Sequence, residues 1–220
     1  MDQEESGIEI SEIKVCVMTN VNRYQGDPIR MYDLMDHFTV HCPKCNGKAE
    51  IEVNEFLRFK SAKLRCGTCF FSENVLDRTR YRSSGTAWCM HCSTKLALKI
   101  EERKIQPAYI LAHCPECNKK SKVRENWETY VMKYKEEGII DPAFGLDLWY
   151  QDEVKGDVIW AYNEAHLQEI KKYVKAELRE RTTNRFKMTM VEKLPNFIKM
   201  AKNRDDVLKA LDRMEKKNKD

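Results

Sequence analysis

Cys42-Pro43-Lys44-Cys45 and Cys66-Gly67-Thr68-Cys69 are followed by Cys89-Met90-His91-Cys92 and Cys114-Pro115-Glu116-Cys117. Each pair of motifs reads C-x2-C, a spacer of some twenty residues, then C-x2-C. Cys42 and Cys45 recur as Cys89 and Cys92, and Cys66 and Cys69 recur as Cys114 and Cys117, which points to a duplicated module. Two cysteines separated by two residues can both face one ion from a tight turn, and exposed N–H groups of that turn can hydrogen-bond the sulfurs. Zinc takes four tetrahedral ligands and accepts thiolates well. The expectation is two zinc sites, one held by Cys42, Cys45, Cys66 and Cys69, the other by Cys89, Cys92, Cys114 and Cys117. Four thiolates leave no open position on the ion, so both sites read as structural rather than catalytic.

The flanking residues agree with this. The position after each second cysteine needs a permissive backbone, and it holds Asn46, Phe70, Ser93 and Asn118. Three of these suit a turn and Phe70 does not. Pro43 and Pro115 pre-set φ inside their loops. Strand-like runs lie between the motifs: 49–53 and 63–65 in the first unit, 96–100 and 109–112 in the second. A redox role for Trp88-Cys89-Met90-His91-Cys92 would need a strand before it and a long helix after it, yet 83–86 read as loop and 96–100 as strand. Haem attachment needs His after the second cysteine, which none of the four motifs has. His41, His91 and His113 stand beside the motifs and are read as neighbours of the sites. Cys16 is read as a buried apolar side chain.

The chain has 220 residues, enough for one or two domains, and 34% charged against 42% hydrophobic residues, which is polar but globular. No apolar run is long enough for a membrane span. The acidic opening Met1-Asp2-Gln3-Glu4-Glu5-Ser6 is unlike a secretory or transit signal. Nine cysteines without such a signal fit metal binding in a reducing compartment, so a cytoplasmic location is expected. The formal charge of +4 falls to near zero once two zinc ions and eight thiolates are counted, so net charge identifies no partner. Its distribution is more informative: residues 1–40 are acidic, 41–69 basic and 164–220 basic.

Around the repeat, the pattern predicts an N-terminal strand and helix segment (1–40), a first ribbon (41–75), a polar linker (76–87), a second ribbon (88–125) and a C-terminal module (126–220). Within the first segment, Ile13, Val15 and Val17 alternate as in a strand and 29–36 fit a short helix. In the last, 126–135 read as helix, and 144–150 with 158–162 as an aromatic hairpin around Gly156. Three helices follow. The first is capped by Asn163, with Leu167, Ile170, Val174 and Leu178 on one stripe and Arg179 and Arg181 at its end. The second spans about 186–202 and is interrupted by Pro195. The third starts at Asn203 with a capping box to Asp206. The expected class is α+β: two tandem zinc ribbons, then a β-hairpin and a helical module.

Residues 42–117 resemble tandem members of the broad zinc-ribbon superfamily, which includes ribbons of transcription factors and ribosomal proteins. The downstream pieces Phe144-Gly145-Leu146, Leu148-Trp149, Ile159-Trp160-Ala161-Tyr162-Asn163, His166-Leu167, Leu178-Arg179-Glu180-Arg181 and Ala201-Lys202-Asn203-Arg204 are similar to an uncharacterised group of bacterial zinc-ribbon proteins. Some members of that group carry cysteines in the hairpin turn, where this chain has Glu153-Val154-Lys155-Gly156. The resemblance implies structural zinc, and it implies no activity.

Gly-rich phosphate loops, metalloprotease helices and nucleophile elbows are missing from the sequence, which leaves an enzyme with structural zinc as the least favoured of three expectations. The first expectation is a non-enzymatic interaction protein that binds RNA or DNA. Arg58 and Lys60 interleave with Phe56 and Phe59, and Arg78, Arg80 and Arg82 follow in the linker; such residues can contact phosphates and stack bases. The second is an adaptor or specificity subunit that binds a protein through the aromatic C-terminal module, where Trp149, Tyr150, Trp160 and Tyr162 cluster.

Overall fold

The computed structural model describes residues 23–24, 29–54, 59, 61–124, 127–176, 178–179 and 189–218. Its strands in chain order are β1 (Arg23–Tyr24), β2 (His37–His41), β3 (Lys48–Glu52), β4 (Lys63–Cys66), β5 (Ser72–Asn74), β6 (Thr79–Trp88), β7 (Lys95–Arg103), β8 (Ile110–His113), β9 (Lys120–Val123), β10 (Glu128–Val131), β11 (Tyr150–Val154), β12 (Asp157–Ala161) and β13 (Leu178–Arg179). The α-helices are α1 (Glu164–Lys175), α2 (Met190–Lys193), α3 (Asn196–Lys199) and α4 (Arg204–Lys216). The mixed architecture agrees with the expected class: small antiparallel strand groups followed by a hairpin and helices.

The first four-cysteine unit is the antiparallel sheet β2-β3-β4-β5. Alternation along β3 and β4 turns Ala49, Ile51 and Leu64 inward and charged residues outward. The free edge of β2 is covered by the segment before β11. Trp149 N–H donates to Thr39 O, His41 N–H donates to Asp147 O, and Val40 bridges to Leu148. Ala143, Phe144, Leu146 and Leu148 therefore complete the core of the first unit with Phe38, Val40 and Ile51. The buried Asp141 carboxylate holds their loop by accepting N–H groups from Ala143, Phe144 and Leu146. The expected strand 144–150 thus begins only at Tyr150. Residues 144–148 are spent on a different sheet from the hairpin they were grouped with.

The hairpin β11–β12 turns through Lys155 (φ 54) and Gly156 (φ 87), a two-residue turn whose twist matches the strands. Its inner face meets α1 and α4 in a second core that includes Tyr150, Ile159, Leu167, Ile170, Leu211 and Met214. Asn163 caps α1 as expected: its Oδ1 accepts the N–H of His166 while its Nδ2 donates to Leu34 O and His37 O. The N-cap of α1 therefore also fastens the chain entering β2.

Several local expectations need correction. The segment 78–85 is no loose linker; from Thr79 onward it belongs to β6, which pairs with β10 at 79–82 and with β7 at Tyr81 and from Ser83 to Trp88. Thr79, Arg80, Tyr81 and Arg82 look polar in sequence because ion pairs, not burial, satisfy that strand. Residues 128–131 form β10 rather than part of a helix, since they complete that sheet. The short helix at 29–36 shrinks to a 3-10 turn at Met31–Leu34. Helix α1 ends at Lys175, and Leu178 and Arg179 lie in β13, paired in parallel with β1. Pro195 splits the second expected helix into α2 and α3, with a 3-10 turn at Ala201–Asn203. Asn203 makes no capping bond to α4; its amide donates to Phe197 O, and Asp206 pairs instead with Lys155 at 2.8 Å. The strand expected at 13–17, Cys16, Arg181 and the start of the second helix at 186–188 lie outside the described residues. No helix among the described residues is long and apolar enough to cross a membrane.

Candidate metal centres

Each four-cysteine group forms where two strand-to-strand turns meet. Cys42 and Cys45 lie between β2 and β3, and Cys66 and Cys69 between β4 and β5. Cys89 and Cys92 lie between β6 and β7, and Cys114 and Cys117 between β8 and β9. Three of the four turns share one hydrogen-bond scheme. Asn46, Ser93 and Asn118 N–H donate to Cys42, Cys89 and Cys114 O, and those cysteines' own N–H groups donate to Gly47, Thr94 and Lys119 O. In the fourth turn Cys66 N–H donates to Phe71 O. The residue after each second cysteine takes a left-handed backbone, with φ 59 at Asn46, 59 at Phe70, 58 at Ser93 and 58 at Asn118. Phe70 obeys the rule despite its bulk, and its ring is 85% exposed. The turn geometry therefore overrides residue preference there. At Gly47 an added Cβ would sit 2.9 Å from Thr68 Oγ1 and 3.3 Å from Cys45 Sγ, so glycine lets the two turns of the first unit close on each other.

The sulfurs converge. In the first group Cys42 and Cys69 Sγ are 3.7 Å apart and Cys45 and Cys66 Sγ 3.6 Å. In the second, Cys89 and Cys117 Sγ are 3.6 Å apart and Cys92 and Cys114 Sγ 3.5 Å. A tetrahedron of thiolates ~2.3 Å from a central ion has edges of roughly 3.8 Å, whereas a disulfide brings sulfurs to ~2.05 Å. Within each group all ligand atoms lie within 4.8 Å of one another, so each can hold one metal ion. One cysteine of each motif, Cys42, Cys66, Cys89 and Cys114, is buried.

Hydrogen bonds aimed at sulfur favour thiolate. Lys44 N–H donates to Cys42 Sγ at 3.4 Å, Cys69 N–H to Cys66 Sγ at 3.5 Å and His91 N–H to Cys89 Sγ at 3.4 Å. Burial pushes the Cys66 thiol up, but the N–H groups of Cys69 and Thr68 and the thiol of Cys45 outweigh it and lower it to about 6. The His91 N–H acts most strongly on Cys89; burial opposes it, and the Ser121 hydroxyl helps bring the thiol down to about 5. For Cys69 the Phe71 N–H is overcome by burial and by the other sulfurs of its group, and the thiol rises to about 12. Cys117 follows the same pattern, also to about 12. Four sulfurs this close cannot all ionise without a cation among them. Their arrangement fits a divalent ion, which offsets half of the charge of four thiolates and leaves each set at −2.

Ser121 and Thr94 went unnoticed in the sequence. The buried Ser121 Oγ accepts Met90 N–H and donates to Cys89 Sγ at 3.6 Å, while Thr94 Oγ1 lies 3.2 Å from Cys92 Sγ. Thr94 had a signal, two residues past its cysteine; Ser121 had none, because only β9 brings it across. The histidines stay out of both groups. His41 Nδ1 lies 3.2 Å from Asn46 O, with its ring 4.7 Å from Trp149, and His91 Nε2 lies 3.4 Å from Lys120 O.

The basic residues expected to meet nucleic acid are placed differently. Arg58 and Lys60 lie outside the described residues. Arg78 Nε donates to Met132 O at 2.5 Å, its Nη1 pairs with Glu73 at 3.4 Å, and its guanidinium lies 3.9 Å from the centre of the Tyr134 ring. Arg80 donates to Asp77 O and Thr79 O and pairs with Glu102 at 3.3 Å. Arg82 meets Glu128 through two hydrogen bonds. All three are spent inside the molecule. In the first unit Lys48 pairs with Glu50 and Arg65 with Glu52.

The second unit differs. Residues 88–124 carry eight Lys or Arg against three acids. The pairing of β8 with β9 sets Leu111 opposite Lys122 and His113 opposite Lys120, and all four are exposed on the outer face, while Ala112, Ser121 and Val123 face inward. Lys122 Nζ lies 4.9 Å from the centre of the Tyr109 ring. Across β6 and β7, the 63% exposed Trp88 stands opposite Lys95. Comparison with protein-family models, with curated proteins and with solved structures returned no match to this chain.

Proposed function

We propose that the protein is a non-enzymatic tandem zinc-ribbon protein, in which two structural zinc ions hold the ribbons and the second ribbon binds nucleic acid. Zinc is favoured by the donor set: four thiolates in a closed tetrahedral arrangement, with no oxygen ligand and no open position. The observation that carries the nucleic-acid reading is the outer face of β8–β9. There Lys120 and Lys122 stand ~6.8 Å apart, as alternate residues of a strand do, beside Tyr109, Leu111 and His113. Lys95, Lys119, Lys120 and Lys122 form no ion pair among the described residues, in contrast to Arg78, Arg80 and Arg82. Unpaired cations beside exposed aromatic rings suit a backbone of phosphates with bases to stack. The aromatic C-terminal hairpin offers less to a partner, because Tyr150 is fully buried and Trp149, Trp160 and Tyr162 pack on the two larger cores.

The test is a titration of labelled RNA and DNA at two salt concentrations. On a single strand affinity falls by ~0.7 log units per phosphate contact for each tenfold rise in salt. Changing Lys120 and Lys122 together to Glu weakens binding and flattens that dependence. Binding that is missing at low salt, or indifferent to the double change, refutes the reading.

A further inference from the structure

The two ribbons repeat one plan, a turn between each of two strand pairs, but they differ in how the inner strands meet. In the first ribbon β3 and β4 pair, from Ala49 opposite Cys66 to Glu52 opposite Lys63. In the second, the equivalent strands β7 and β8 belong to separate sheets. A cleft of about 990 Å³ opens between them, at the upper end of the ~300–1,000 Å³ usual for ligand sites. Leu98, Tyr109 and Leu111 line it together with Lys95, Arg103 and His113, and the lining among the described residues holds no acid. The sequence duplicates a closed module and leaves the second copy open. An apolar, aromatic slot with cationic neighbours and no carboxylate suits a flat ring that carries negative charge at its margin.

We propose that the cleft between β7 and β8 takes a base of a single-stranded nucleic acid. The base stacks on Tyr109, and the flanking phosphates lie on Lys95, Arg103 and the outward lysines of β9. This rests on the reading of the second ribbon as a nucleic-acid surface and adds the class of strand it accepts. A base inside a duplex is already paired and stacked, and extracting it costs a few kcal/mol, so duplex is disfavoured at this site. A protein strand pairing with the free edges of β7 and β8 is the rival occupant. The lining among the described residues, with three potential cations and no acid, favours the polyanion.

The experiment uses the full zinc-loaded chain with labelled oligothymidylate and oligouridylate of about 12 nucleotides and a duplex of equal length, a span within the ~4–16 nucleotides of small single-strand modules. Single strands bind more tightly than duplex. Tyr109→Ala weakens single-strand binding roughly 5- to 100-fold, the loss of one stacked base, with zinc content unchanged, and Tyr109→Trp restores it. Duplex binding as tight as single-strand binding, or a Tyr109→Ala affinity within about twofold of the parent, a change smaller than one stacked base, overturns the cleft while leaving the lysine face in place. Failure of every oligonucleotide to bind at low salt overturns both and leaves the free edges to a protein strand.

Discussion

Arg82 and Glu128 face each other in register across β6 and β10, and guanidinium and carboxylate join through hydrogen bonds of 2.8 and 2.9 Å. The same guanidinium lies 4.9 Å from the centre of the Tyr130 ring. The bond and charge of Arg82 hold the Glu128 carboxyl below its usual range, and Glu128 raises Arg82 in return. The side chain that looked ready for a phosphate in the sequence already has an anion.

Arg82→Glu therefore sets two carboxylates opposite each other and loosens β10 without touching the proposed nucleic-acid surface on β8 and β9. Hydrogen exchange at 128–131 accelerates, and oligonucleotide affinity changes far less than after the double Lys120 and Lys122 exchange. Unchanged exchange with a large loss of affinity would return Arg82 to the binding surface. The pair's contribution is present above the normal glutamate pKa and is lost as pH falls through the lowered one.

Metal ions in the two four-cysteine groups are expected to carry unequal shares of the two ribbons. The first ribbon shares a core with Phe144, Leu146 and Leu148, whereas the buried cluster of the second consists of Cys89, Leu96, Ala112, Cys114 and Val123. Structural zinc contributes ~10–16 kcal/mol of apparent binding free energy in small domains. On the proposed reading the parent chain is expected to purify with two zinc equivalents, and Cys42→Ser and Cys114→Ser are each expected to lose one. Limited proteolysis cuts Cys114→Ser within 88–124, while Cys42→Ser stays protected over 37–53. Equal sensitivity of the two ribbons would show that the shared core adds nothing.

His166 makes the C-terminal module acid-sensitive. Burial lowers its pKa from 6.5 to about 4, its Nδ1 accepts Tyr162 N–H, and no described group meets its Nε2. A lowered histidine value means that the folded state resists protonation, so stability is full above pH 6.5 and declines as pH falls from there towards 4. Between pH 7.5 and 5.5 the loss is about 1 kcal/mol. Urea unfolding followed by Trp fluorescence measures it, and His166→Leu removes that part of the slope. An identical slope in the variant would assign the acid sensitivity elsewhere.

Gly145 and Gly156 both have positive φ, but only one is confined. A Cβ at Gly145 (φ 72) would lie 2.3 Å from Lys135 O, while at Gly156 (φ 87) it would meet nothing within 4 Å. Gly145→Ala meets that contact in addition to the ~1–3 kcal/mol of an unfavourable backbone and lowers the melting midpoint clearly. Gly156→Asn suits the hairpin turn and costs little. Comparable midpoints for the two variants would refute the crowding at Gly145.

The two four-cysteine groups were legible because cysteine spacing states grouping, count and turn at once. The left-handed positions at Asn46, Ser93 and Asn118 could be read from their place after the second cysteine, whereas Phe70 takes the same backbone against its residue type. The Asn163 cap and the Gly156 turn were equally local. What could not be read depended on distant partners. Thr79 to Arg82 look like a linker until Glu128, Glu102 and Tyr130 arrive opposite them. Residues 144–148 alternate like a hairpin strand, but their apolar faces are claimed by Phe38 and Val40. The basic residues misled for a related reason. Arginine beside aromatic residues describes a phosphate site and an internal stack equally well, and Arg78 over Tyr134 is the second kind.

The register that sets Arg82 beside Glu128 gives the second ribbon the topology of an insertion. The segment after Arg82 leaves and returns through two neighbouring strand ends, none of its described residues belongs to either of the larger cores, and beyond those ends it touches the body at Tyr81, opposite Arg103, and at Arg80, paired with Glu102. A two-residue Asn-Gly turn spliced between Arg82 and Glu128 would close the gap as an ordinary hairpin. The remainder would be a one-metal protein with its helices in place. Conversely, the excised loop is a cassette that any scaffold with a free antiparallel hairpin could display, so lineages could gain or shed the ribbon without rebuilding the body that carries it.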